Sequence, residues 1–217
     1  MSEGMIYLLI SGIRETLVMT FVSGFFGFVI GLPLGVLLYV TRPEQIMANS
    51  PAYKVISALV NIFRAIPFII LLVWMIPFTR MVVGTSIGLQ AAIVPLTVGA
   101  APFIARMVEN TLLEIPHGLI EASRAMGATP MQIIKKVLLP ESLPGLINAA
   151  TITLITLVGY SAMGGAVGAG GLGQIGYQYG YVGYNATVMN TVIVLLVILV
   201  FIIQFIGDRL VKLTTHK

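Results

Sequence analysis

The stretch Glu121-Ala122-Ser123-Arg124-Ala125-Met126-Gly127, followed by Val137-Leu138-Leu139-Pro140, decides how this chain is read. It sets charges, a glycine and a proline inside a sequence that is otherwise almost wholly apolar. Of the 217 residues, 58% are hydrophobic and 9% charged, and the mean hydropathy is +1.01. Soluble domains carry about 25% charged residues. The chain is therefore expected to be an all-α integral membrane protein, a single transmembrane domain over 1–217 with no separate soluble domain. Its surroundings are membrane lipid, and the net charge of +4 is too modest to imply nucleic acid. No cysteine is present, which excludes disulfides and thiolate metal sites.

A span needs about 20 mostly apolar residues. Five stretches qualify, at about 16–40, 55–78, 89–112, 145–167 and 186–206. Pro33, Pro67 and Pro77 imply kinks that neighbouring helices compensate. Lys and Arg concentrate in alternate loops. Arg42, Lys54, Arg124, Lys135, Lys136, Arg209, Lys212 and Lys217 share one side, against Arg14 and Arg80 on the other. The first side is expected to be cytoplasmic, with the N-terminus outside and the C-terminus inside. No basic residue precedes Arg14 and no small-residue cleavage pattern follows, so no signal peptide is expected.

Between the third and fourth spans, 113–143 is too long for a structureless loop in a compact domain. Its punctuation predicts two short helices. Pro116 suits a first turn, and Gly127 suits a left-handed stop. Thr129-Pro130-Met131-Gln132 reads as a new N-cap with a capping box, and Leu139-Pro140 as the end of that second helix. Ile133, Ile134, Val137 and Leu138 would face the bundle or the membrane, with Lys135 and Lys136 in water or at lipid phosphates. An interfacial amphipathic segment would look similar. However, the first helix is too short to stand alone, and it offers Glu121 and Arg124 beside small and apolar residues. That combination suits docking into a protein groove.

This elbow resembles the EAA loop of binding-protein-dependent ABC importer permeases, with its spacing complete and Ser123 in place of the usual second alanine. The resemblance extends to Thr16-Leu17-x-x-Thr20 and Phe63-Arg64-x-x-Pro67. It implies a type I ABC importer permease with five transmembrane helices and a cytoplasmic coupling-helix elbow, in the bacterial cytoplasmic (inner) membrane. Glu121, Ala122, Ser123, Arg124 and Gly127 would couple it to an ATPase. Pro102-Phe103-Ile104-Ala105-Arg106, the elbow, and Gly159-Tyr160-Ser161-Ala162-Met163-Gly164-Gly165 look most like the methionine-importing branch. The resemblance thus implies a homodimer of the permease, two ATP-binding subunits and an extracytoplasmic methionine-binding lipoprotein. Transport would proceed by alternating access. A permease for another amino acid or small molecule is the alternative.

Other features fit this scheme. Gly168 to Gly173 forms a G-x-G-x-x-G, but no strand precedes it and it is expected outside the cell, so it is not a dinucleotide site. No P-loop sequence occurs. The chain is therefore expected to be no enzyme and to hold no cofactor, ATP and Mg²⁺ belonging to the partner ATPase. Arg64, Arg106 and Glu109 are expected near the cytoplasmic ends of spans, leaving no charge at mid-membrane. Arg106 and Glu109, three apart, form a candidate ion pair that is structural, gating or closer to chemistry. A secondary transporter would place coupling-ion sites near the midplane. A channel or scaffold would need no elbow.

Gly27, Gly31 and Gly35 form a small-residue face for packing in the bundle or for dimerisation. Tyr177, Tyr179, Tyr181 and Tyr184 suit an aromatic belt or an external protein contact. Tyr160 and Met163, three apart before the glycines, are candidate gate or pathway residues, with ordinary packing as the alternative.

Overall fold

A computed structural model describes residues 3–215, and among these every regular element is helical. Lys217, counted above among the cytoplasmic charges, lies outside the described residues. Helix α1 (Glu3–Thr41) is followed by α2 (Ser50–Ala65), α3 (Phe68–Trp74), α4 (Ile76–Val83) and α5 (Leu89–Leu113). The elbow contains α6 (His117–Ala125) and α7 (Pro130–Ile133), then a π-helical turn (Ile134–Leu138) and α8 (Leu139–Glu141). Helix α9 (Leu143–Gly165), α10 (Gly171–Ile175), a second π-helical segment (Gly176–Val182) and α11 (Ala186–Thr214) complete the fold.

Four helices, α1, α5, α9 and α11, are long and apolar enough to cross a membrane. The fifth apolar stretch is broken. Helices α2 and α3 meet at 97°. The cause is local: Pro67 forces the residue before it out of the α region, and Ile66 is extended at φ −74°, ψ 122°. Pro67 and Pro77 thus stand at the starts of α3 and α4, where a missing N–H costs little, and Pro33 alone of the three lies inside a helix.

Helix α1 packs chiefly on α5, and the glycine face makes this possible. A Cβ on Gly31 would stand 2.7 Å from the Ala101 carbonyl oxygen, and one on Gly35 would stand 2.5 Å from the Val108 Cβ. Backbones this close need glycine. The small-residue stripe is therefore used inside the chain and is not free for a second copy. Arg42, just beyond α1, meets Glu109 near the end of α5, so these two helices run parallel. Helix α9 returns beside them, and α11 packs on α9. The outward face of α11, with Phe201, Phe205 and Ile206 exposed, is apolar, as a lipid-facing surface must be.

Candidate functional site: the elbow, the arginine cluster and the outer hairpin

The elbow owes its shape to a few residues. Gly127 has φ +80°. Its N–H donates to the Arg124 carbonyl at 2.9 Å, and the Ala128 N–H donates to the Ser123 carbonyl at 3.1 Å. This bond pair closes a helix through a left-handed residue, a conformation that glycine adopts without strain. Two residues later Thr129 caps α7. Its hydroxyl accepts from the Gln132 N–H, while the Gln132 side chain accepts from the Thr129 N–H at 2.9 Å. Glu121, Ala122, Arg124 and Met126 are exposed. Ser123 turns inward, donating to the Leu119 carbonyl at 2.7 Å, and Ile120 is buried beside it. One face of α6 thus anchors it and the other stands free.

The second helix does not stop at Leu139-Pro140. The Leu139 N–H reaches back five residues to the Ile134 carbonyl, and the Ser142 and Leu146 N–H groups continue the bonding into α9. The π-helical turn widens the backbone just before Pro140, whose ring and missing N–H would break a regular α-helix. Ile133 and Leu138 are buried, Ile134 and Val137 half-buried, and Lys135 and Lys136 exposed.

Behind the elbow lies a charged cluster. Arg106 Nη1 donates to Glu109 Oε2 at 2.6 Å. Its Nη2 donates to Asn61 Oδ1 at 2.8 Å and Ser57 Oγ at 2.9 Å. Glu109, fully buried, also accepts from the Tyr53 hydroxyl at 3.1 Å and faces Arg42 at 3.6 Å. A buried carboxylate survives only when its oxygens are satisfied, and both are. The cluster joins α2, α5 and the end of α1. Tyr53, Ser57 and Asn61 recur every four residues on α2, a polar stripe visible in the sequence but not identified there.

At the other end of the bundle, Gly168, Gly170 and Gly171 have positive φ and fold the chain tightly after α9. The Gly171 N–H donates to Glu15 Oε2 at 2.7 Å, and the Leu172 N–H donates to Thr16 Oγ1 at 3.0 Å. No local pattern signals this fastening, since its partners are far apart in the chain. Tyr160 is half-buried, its ring stacked on Phe68 with centroids 4.3 Å apart. Met163, one turn on, is 50% exposed. The elbow and this pair lie toward opposite ends of α9.

Comparison with known proteins places the chain. The profile of the binding-protein-dependent transport system inner membrane component matches residues 27–216. The D-methionine transport system permease protein MetI of Escherichia coli K12 is 83% identical over 217 residues, covering all of both chains. The probable D-methionine permease of Vibrio cholerae is 52% identical over 97% of this chain and 93% of its own. A structure described as inward-facing conformations of the MetNI methionine ABC transporter contains a chain matching all of this one, at a TM-score of 0.98 and 83% identity, itself covered in full. A more distant amino acid ABC transporter, 20% identical, matches at a TM-score of 0.73 over 96% of this chain and 92% of its own, and shares the fold. The capped elbow, the helical bundle and these matches agree: this chain belongs to the binding-protein-dependent transport system inner membrane component family, a multi-pass inner membrane permease with the type I ABC importer fold.

Proposed function

We infer that this chain is the membrane permease subunit of an ATP-driven methionine importer. The carrying observation is 83% identity over the whole length to a D-methionine permease. Two copies form the pathway. Two separate ATPase subunits bind ATP and Mg²⁺, and an extracytoplasmic methionine-binding lipoprotein delivers substrate. The N-terminus lies outside and the C-terminus in the cytoplasm, as the Lys and Arg distribution supports.

The exposed face of α6, with Glu121, Ala122 and Arg124, docks on the ATPase, while Gly127 and Ser123 set its pose. ATP favours the closed ATPase dimer. That difference in affinity between states supplies the drive, because a ligand shifts an equilibrium only as far as its preference allows. The elbows follow the ATPase, and the paired α9 helices open outward around Tyr160 and Met163. Hydrolysis resets the inward-facing state. The test is co-expression with the ATPase and lipoprotein, followed by uptake of radiolabelled methionine into vesicles with and without ATP. Uptake that ignored ATP would overturn the reading.

A further inference from the structure

Helix α2 ends at Ala65 and α3 leaves it at 97°. At the inside of this corner lies a pocket of about 110 Å³ lined by Phe63, Arg64, Phe68, Gly99, Phe103 and Tyr160. Gly99 and Phe103 lie near the middle of α5 (Leu89–Leu113), so the pocket is level with the middle of that helix. Arg64 is exposed at its edge, and a guanidinium on an apolar helical bundle is costly unless it has a use. The terminal carbonyls of α2 compensate part of its charge. Yet neither ion pair among the described residues includes Arg64, and its fork of donors has no carboxylate to meet.

We propose that this pocket is a transit subsite for the imported amino acid, with Arg64 receiving the α-carboxylate; the proposal rests on the methionine-import reading above. A guanidinium grips a carboxylate through two parallel hydrogen bonds. The walls are aromatic, and a thioether packs well against ring edges. The substrate ammonium meets the carbonyl end of broken helix α2, the polarity that discontinuous helices offer to cations. No acidic side chain lines the pocket, so a cationic side chain finds no partner there. The subsite selects a zwitterion with a slender apolar side chain. Its floor, the stacked Phe68 and Tyr160 rings, joins it to the pathway proposed above.

The test uses the complete permease–ATPase complex in nanodiscs and a diazirine analogue of methionine as photo-probe, with adducts mapped by mass spectrometry. Labelling is expected on peptides containing Phe63 to Phe68 and Phe103. Excess methionine should suppress it, whereas methioninol, which lacks the carboxylate, should not. Arg64→Gln should reduce labelling about tenfold, the loss of a charge-assisted contact, with partial recovery in Arg64→Lys. Adducts confined to other segments, or equal competition by methioninol, would overturn the subsite. If Arg64→Gln fails to assemble, competition on the unsubstituted complex decides alone. Methionine uptake by the same complex, reconstituted into sealed vesicles with the lipoprotein and ATP, separates the two ideas. Import without pocket labelling sinks the subsite only, and absence of import sinks the importer reading.

Discussion

Glu15 on α1 accepts a hydrogen bond at 2.7 Å from the backbone N–H of Gly171, 156 residues further along the chain. Glu15→Ala leaves that half-buried N–H without its partner, a loss of about 1–3 kcal/mol. Thermal unfolding of the purified complex should register it as a lowered midpoint. Glu15→Gln keeps an acceptor oxygen and should fall between the two. Identical midpoints for all three proteins would remove the fastening from the account of stability.

Gly127 at φ +80° should resist β-branched substitution most. A left-handed residue with a Cβ costs about 1–2 kcal/mol, and valine more than most. Gly127→Val is expected to reach the membrane yet lose ATP-driven uptake, while Gly127→Asn, which tolerates this conformation, retains most of it. Wild-type uptake in Gly127→Val would dissociate the elbow from coupling.

Glu109 neutralised alone should be far worse than Glu109 and Arg106 replaced together. Glu109→Gln leaves the partly buried Arg106 without its counter-charge, a break worth up to about 3–5 kcal/mol. The pair Arg106→Leu with Glu109→Leu removes both charges and should recover part of the loss. Heat-induced aggregation of the wild type, Arg106→Leu, Glu109→Leu and the double variant forms the double-mutant cycle. Additive effects would mean that the 2.6 Å contact contributes no coupling.

Tyr160 and Met163 should separate stability from passage. Tyr160→Ala removes a ring stacked on Phe68, worth about 0.5–1.5 kcal/mol beyond its buried area. Met163 is half-exposed, so Met163→Ala should leave the midpoint of unfolding almost unmoved. The gate reading expects Met163→Ala to leak, or to need its binding protein less. Unchanged uptake and unchanged dependence would return both to packing.

Orientation can be read by single-cysteine labelling, since the chain has no cysteine of its own. Gly4→Cys and Tyr181→Cys, both exposed positions, should react with an impermeant thiol reagent from outside intact cells. Ala48→Cys should react only after permeabilisation. The reverse pattern would invert the proposed topology.

The elbow was legible because its determinants are local. Gly127 closing one helix, and Thr129-Pro130-Met131-Gln132 opening the next, act on neighbours within four residues. The candidate pair Arg106 and Glu109 shares one helix and could be placed by spacing, whereas its other partners come from α2 and the end of α1. The corner at Pro67 was not legible as a corner, because hydropathy over 55–78 averages across it and a proline inside an apolar run allows a kink of any size. The Glu15 fastening depends on two segments from opposite ends of the sequence, so nothing near either one announces it. Leu139-Pro140 misled for another reason: a widened turn absorbs a proline that a regular helix would reject.

The bonding on either side of Pro140 has a mechanical consequence. The Leu139 N–H reaches the Ile134 carbonyl and the Ser142 N–H the Leu138 carbonyl, and only Ser142 separates α8 from α9. Helical turns therefore follow one another from Pro130 into α9 with no loop between them. A loop there would take up a displacement of the elbow; a chain of abutting turns has no such reserve, so a movement of α7 is expected to be felt by α9.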